Sequence, residues 1–283
     1  MHPITRGRLG RYLEVDKEEA CVTEDLNQAV RDAWDAIAPW WDERFGEGNA
    51  FQNQLIGPAT ERLLSLQPEE IVLDVACGNG AFARRLASLG ARVVAVDFSQ
   101  QFLELARKRT VENAERIEYR LLDATDEEQL KALGHQRFDA IVCTMAMMDM
   151  ATIEPLARSL PKLLKNGGRF VFSVLHPCFN NSNSRLVVEE ENHDGELVQV
   201  FSVKVSRYSR PWVERAAGMR GQPHAHLYIN RPLNALFAPL FAAGLALDGL
   251  EEPTFERADS PGPLNWQQLH DLPPVLVARF RLH

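Results

Sequence analysis

The apolar residues of EDLNQAVRDAWDAIAPWWDERF fall at Leu26, Val30, Trp34, Ile37 and Trp41. Gaps of three and four residues put them on one face of a helix. Thr23, followed by Glu24 and Asp25, supplies a start signal. Pro39 predicts a kink or a division into two helices, because proline lacks the amide proton and crowds the preceding turn. A second helix is predicted from about Pro58 to Leu66. From Ile71 the texture changes to short apolar runs alternating with helical stretches. IVLDV reads as a strand. AFARRLASL reads as a helix with Phe82, Leu86 and Leu89 on one face and Gly90 at its end. RVVAV is a strand, and Ser99 caps a helix through about Asn113. RIEYRLL is a strand, with a short helix near Glu127–Leu133. FDAIVC is a strand, and Pro161 distorts the end of a helix over Ile153–Leu164. NGG is a turn before the strand RFVFSVL. Five strands separated by helices, too apolar to be covered on one face alone, imply a parallel sheet with helices on both faces.

Residues 176–230 break this alternation. The stretch is polar, with short strands expected at Arg185–Glu190, Leu197–Ser206 and His226–Ile229. It reads as an insertion after the fifth strand. A helical pattern returns at Pro232–Ala243. LALDGLEEP and PPVLVARFRL then read as two last strands joined by a proline-rich loop.

The bulk composition narrows the class. The chain has 283 residues, 45% hydrophobic and 25% charged, which is ordinary for a globular protein with a sizeable core. A net charge of −8 argues against a general nucleic-acid binder. Cys21, Cys77, Cys143 and Cys178 are scattered and form no C-x-x-C pair, so neither a zinc knuckle nor a disulfide framework is expected. Residues 1–22, opening MHPITRGRLGRYLEVDKEE, are polar and expected to be loosely ordered. They have no apolar h-region, and no later run reaches the length of a membrane span. The expectation is a soluble, cytoplasmic protein with no membrane partner. No feature specifies an oligomeric state.

The chemistry concentrates at the strand ends. VLDVACGNGAF carries Asp74 at the end of the first strand, and Gly78, Gly80 and Ala83 satisfy the dinucleotide pattern G-x-G-x-x-G/A. Asp97 closes the second strand in VVAVDFS, where an acid takes ribose hydroxyls. Asp123 closes the third in LLDAT. One such residue is ordinary turn chemistry. Three acids at three successive strand ends, beside a glycine turn, describe a nucleoside site. Asp74 separates the candidate ligands. A pyrophosphate wants a helix N-terminus and no nearby carboxylate, and like charges about 5 Å apart cost roughly 3 kcal/mol at an effective dielectric of 20. S-adenosylmethionine has no phosphate and carries two cationic groups.

VLDVACGNGAF, VVAVDFS, LLDAT and FDAIVCTMAMMDM, followed by LLKNGGRFVFSV, resemble the successive motifs of class I S-adenosylmethionine-dependent methyltransferases. The resemblance covers about Val72–Val174. It implies a Rossmann-like α/β fold with a mostly parallel seven-stranded sheet, whose last strand runs antiparallel. It divides the chain into an N-terminal helical lid (1–70), a cofactor-binding core (71–175 and 231–283) and a β-rich substrate cap (176–230). S-adenosylmethionine would be the cofactor and S-adenosylhomocysteine the product. By the same resemblance, Asp74 and the turn Ala76, Cys77, Gly78, Asn79 and Gly80 lie against the methionine part. Asp97 binds the ribose, Phe98 packs on the adenine, and Asp123 and Ala124 meet the adenine edge. Thr144, Met145 and Ala146 line the floor near the methyl group. WDAIAPWWDERF resembles the family's lid helix, so Trp34 or Trp41 covers the cofactor or simply packs in the core. Ala76 departs from the glycine common at its position. Alanine tolerates positive φ poorly, so ordinary dihedrals are expected there.

The acceptor side carries weaker signals. CTMAMMDM lacks the N/D-P-P-Y/F signature of methyltransferases acting on bases or amides. Asp149 is a candidate proton acceptor or a solvated loop acid. His176, after the fifth strand, is a candidate base because imidazole titrates in the useful range; alternatively it pins the start of the insertion. Lys204, Arg207, Arg210, Arg215, Arg220 and Arg231 face a single Glu214, against the acidic EEENHDGE earlier in the insertion. That separation suits an anionic acceptor, with Tyr228 and Arg231 as contacts, or two strands pairing by charge. His224 and His226 lack an identifiable third ligand, so no metal is expected. The reading is a methyltransferase that transfers to an O, N or C nucleophile of a small molecule. Its rivals are an RNA- or protein-directed methyltransferase, a non-catalytic cofactor-binding module and an NAD-dependent oxidoreductase.

Overall fold

The computed structural model describes residues 17–256 and 264–282. The expectation for residues 1–16 and the middle of the proline-rich loop lie outside them. The first helix, α1, spans Lys17–Phe45. It begins upstream of Thr23, so residues 17–22 are helical where loose order was expected, and it runs through Pro39 as one element. Ile37, Ala38 and Phe45 are buried on both sides of the proline, and their packing offsets the lost hydrogen bond. A π-helical turn over Phe51–Ile56 leads into α2, Gly57–Leu64.

The alternating segment follows in the predicted order. It comprises β1 (Ile71–Val75), α3 (Ala81–Ser88), β2 (Arg92–Asp97), α4 (Gln100–Arg109), β3 (Ile117–Leu121), α5 (Glu127–Lys131), β4 (Phe138–Thr144), α6 (Glu154–Leu163) and β5 (Leu164–Leu175). Ser99 caps α4 by accepting the Phe102 N–H. That helix ends at Arg109, short of Asn113. The buried face of α3 is Ala83, Leu86 and Ala87, whereas Leu89 is 38% exposed. The NGG segment belongs to β5, where the register against β4 slips between Leu164 and Arg169. Gly167 takes φ +72 within it.

The insertion forms two separate hairpins. β6 (Arg185–His193) pairs with β7 (Glu196–Lys204), and β8 (Trp212–Ala216) pairs with β9 (His226–Asn230), both antiparallel. β8 has no counterpart in the sequence reading, because alternating WVERA is too short to stand out from its polar surroundings. The chain closes with α7 (Leu233–Ala242), β10 (Leu245–Glu251) and β11 (Val275–Leu282).

The main sheet has seven strands in the order β10-β11-β5-β4-β1-β2-β3. β11 runs antiparallel to both of its neighbours, and the β1–β5 pairings are parallel. Leu73 and Val75 join one apolar cluster with residues of α5, α6 and α7. Val72 joins the other with residues of α2, α3 and α4. Alternate residues of one strand therefore feed opposite cores, and Asp74 points to the Val72 side. The order reverses between β1 and β4, which opens a crevice at the carboxyl ends of these strands.

Candidate active site

A cleft of about 1020 Å³ opens at those strand ends. Its walls include Ala76, Cys77, Gly78 and Asn79 after β1, Asp97 and Phe98 after β2, Asp123 and Ala124 after β3, and Thr144, Met145, Ala146 and Asp149 after β4. Trp34 and Trp41 of α1 close it from the outside, in edge-to-face contact with centroids 5.3 Å apart.

The turn after β1 is tightly wound. Gly78 and Gly80 take φ +54 and +74. A Cβ on Gly78 would meet nothing within 4 Å, so the missing side chain leaves open room at the cleft wall. A Cβ on Gly80 would collide with the Tyr119 hydroxyl, so this glycine is needed for packing; it does not line the cleft. Ala76 takes φ +57, against the expectation of ordinary dihedrals. The turn imposes a left-handed residue there whatever its side chain, and alanine bears the strain.

Asp97 is fixed from both sides. One carboxylate oxygen accepts the Gly78 N–H at 2.8 Å and the other the Ser99 N–H at 2.9 Å. Burial raises its pKa to about 6, although these two bonds favour the charged form. Asp74 corrects the sequence picture of an exposed acid. It is fully buried behind the turn, does not line the cleft, and neither oxygen has a hydrogen-bond partner. Burial, followed by the charge of Asp97, raises its pKa to about 8. The electrostatic objection to pyrophosphate weakens accordingly, because a mostly protonated acid repels little.

Helix α1 is fastened to successive strand ends by polar contacts. Asn27 donates to Thr125 at 3.0 Å, and Arg31 pairs with Asp123 at 2.6 Å. Asp35 accepts the Ser99 hydroxyl. Asp42 accepts from Asn79 at 2.9 Å and from Arg109 at 2.6 Å. Burial raises the Asp42 pKa, but Arg109 and Asn79 outweigh it and hold the carboxyl below its usual range. The other oxygen of Asp123 accepts both the amide and the hydroxyl of Thr125. Asp123 therefore lines the cleft with both oxygens already engaged. α1 makes these contacts through side chains that the apolar pattern passes over. Their signal was the polar face of the same helix.

The acceptor-side candidates separate. Asp149 lines the cleft with a buried, unpartnered Oδ1, and burial pushes its pKa well above the usual carboxylate range. His176 is absent from the cleft wall. Its Nδ1 accepts the Cys178 N–H at 3.1 Å, so its Nε2 donates to Glu252 at 2.7 Å. Burial lowers its pKa despite Glu252. The imidazole is held as the pin of the insertion. Arg231 is likewise used up, donating to the carbonyls of Met147, Met150 and Ala151 at 2.8–2.9 Å. Burial lowers its pKa to about 10. It braces the Asp149 segment and does not face the cleft. Tyr228 lies outside the cleft wall, beside a small void with Met147 and Met148. Among the described residues, no ion pair joins the acidic β6–β7 tip to the basic residues of 204–231.

Residues 73–172 match the family described as a methyltransferase domain. The resemblance to a methyltransferase domain is thus met over residues 73–172 of this chain. A ubiquinone biosynthesis O-methyltransferase of Xanthomonas axonopodis is 28% identical over 158 residues, 54% of this chain and 64% of that protein. The chain thus spans less than two thirds of the curated relative. An S-adenosylmethionine dependent methyltransferase from Mesorhizobium loti superposes with a TM-score of 0.59 at 22% identity, covering 79% of this chain and 96% of that one. A Listeria monocytogenes chain superposes with a TM-score of 0.60 at 20% identity, covering 80% and 99%. These likenesses in structure show a common fold. The methyltransferase domain match stops at residue 172, ahead of the two hairpins that begin at Arg185.

Proposed function

We propose that the protein transfers a methyl group from S-adenosylmethionine to an O, N or C nucleophile of a small molecule. The observation that carries this reading is the convergence of four strand ends on one cleft, with Asp97 anchored beside the open face of Gly78. The residues fit the cofactor. Each Asp97 oxygen keeps a lone pair for a ribose hydroxyl, and Phe98 with Leu122 and Ala124 offers apolar surface to adenine. Backbone of the Ala76–Asn79 turn suits an ammonium. The cofactor, when bound, supplies a sulfonium methyl with a good leaving group. The chain contributes orientation, which can account for most of the acceleration of an in-line displacement. α1 serves as the lid, with Trp34 and Trp41 excluding water, and residues 176–230 serve as the cap. The enclosure of the cleft by α1 favours a small acceptor over a macromolecule. The names of the curated relatives favour oxygen as the accepting atom.

Calorimetry with S-adenosylhomocysteine and with NAD tests the reading. Micromolar binding of the former and none of the latter is expected. Binding of NAD alone overturns it.

A further inference from the structure

Asp149 is the one buried acid on the cleft wall without a hydrogen bond at one of its oxygens among the described residues. Such an atom is costly to leave unpaired, and it belongs to a residue of the cleft wall. What surrounds it is specific. The Nε2 of His226 on β9 lies 3.8 Å from Asp149 Oδ1. His226 is almost fully buried. Its Nδ1 faces the side-chain amide of Gln222 at 3.0 Å, and with the amide nitrogen there it accepts. The remaining proton must then sit on Nε2, the nitrogen facing Asp149. The ring lies in tilted contact with Trp34, 4.6 Å between centroids, and with Tyr228, 4.4 Å. The backbone is tied in as well. The Ile229 N–H donates to the Met148 carbonyl at 2.7 Å, and Arg231 holds Met147, Met150 and Ala151. Two segments far apart in sequence are thereby locked in register, and the lock sets the distance between the two side chains.

We infer that Asp149 accepts the proton of an O–H or N–H acceptor, and that His226 is the positioning residue that stabilises the resulting geometry by donating from Nε2. This rests on the methyl-transfer reading and narrows its acceptor to one that sheds a proton. The balance closes. The acceptor's lone pair forms the bond to the methyl carbon, the carbon–sulfur bond breaks with its pair on sulfur, and the acceptor proton goes to the carboxylate. In the ionised form of Asp149 the positive charge of the sulfonium and the negative charge of the carboxylate vanish together, so transfer is favoured as pH rises and that form gains population. At 3.8 Å the His226–Asp149 contact is longer than a hydrogen bond, and such contacts characteristically tighten once the ligand is bound. His226 itself is no proton store, since burial holds its pKa near 4. The other titratable groups whose charges couple to Asp149 are Tyr228 on β9 and Cys143 on β4, both pushed up by burial and neutral around pH 7.

The test needs no known acceptor. The full chain, saturated with S-adenosylhomocysteine, is titrated by carbon-13 NMR of its carboxyl groups, with Asp149→Asn identifying the resonance. In the wild type, Asp149 should titrate well above the usual carboxylate range. His226→Phe, which keeps a ring but removes the donor, should move it up by about one unit or more, as loss of a bond to the charged form demands. His226→Gln, which restores an N–H, should recover at least half of that shift. A packing role for His226 would leave the titration of His226→Phe unchanged, and that result overturns the proposal. Calorimetry on the same samples keeps the two readings apart. Failure to bind S-adenosylhomocysteine counts against methyl transfer. Normal binding with an unmoved Asp149 counts against the proton relay alone.

Discussion

The strand-end rim of the cleft and the segment under β9 treat their carboxylates in opposite ways. On the rim, both oxygens of Asp97 and of Asp123 accept from amides, a hydroxyl or a guanidinium group, and Asp42 of α1 behind it is likewise paired. Under β9, Asp149 keeps an oxygen bare, with a histidine just beyond bonding distance. The rim holds its shape through paired carboxylates, whereas the Asp149 segment leaves one oxygen free for the proton transfer proposed above. The same contrast runs through the imidazoles. His176 is closed off by Cys178 and Glu252, while His226 directs its free N–H at an acid.

The contrast can be broken at several points. The largest effect is expected from Asp97→Ala. It removes the acceptor of two backbone amides, each bond to a charged group being worth about 1.5–3 kcal/mol. S-adenosylhomocysteine affinity should fall by about 100-fold or more, and unchanged affinity by calorimetry would falsify the role of the rim. Next is Asp42→Ala, which unfastens α1 from Asn79 and strands Arg109. About tenfold weaker binding and a loss of about 1–3 kcal/mol in a urea melt are expected. Because the folded pKa of Asp42 is depressed, its contribution is present above the unfolded value near 4 and is lost as pH falls through the folded value. The wild type should therefore converge with the variant in acid.

Asp74 carries the opposite sign. Its raised pKa means that the unfolded chain loses this proton first, so its contribution to stability declines from about pH 4 until the folded value near 8. Asp74→Asn should raise Tm by several degrees at pH 8 and change it little at pH 4–5. A uniform loss at both pH values would show that the carboxyl has a partner. The smallest effect on the cleft is expected from His176→Ala. Melting should drop with the loss of its two hydrogen bonds, while S-adenosylhomocysteine binding stays within about twofold. Equal losses in both would return His176 to the site.

The same contrast explains what the sequence could reveal. Five parallel strands were legible because buried strands write themselves as apolar runs, and Asp97 stood out as an acid at a strand end; the antiparallel last strand and the positions of Phe98 and Thr144–Ala146 came from the resemblance. Ala76 was misjudged because its φ is set by the turn around it. Asp74 was misjudged because strand parity puts it under α3, which a motif does not state. His176 and Arg231 had the right residue types at the right end of the sheet. Their partners, Glu252 and the 147–151 carbonyls, are set by tertiary packing. His226 was visible only as one of two histidines on a strand, because its meaning comes from a loop about eighty residues earlier, a distance no local pattern bridges.

The fastening of α1 has a kinetic consequence. A ligand leaving past Trp34 and Trp41 must first loosen Arg31 from Asp123 and Asp42 from Asn79 and Arg109. The two ion pairs, Arg31–Asp123 and Arg109–Asp42, are partly open to solvent, so dissolved ions compete for them. On the proposed function, the residence time of the spent cofactor is therefore tied to ionic strength, and the helix would act as a clock on turnover that the medium can speed or slow.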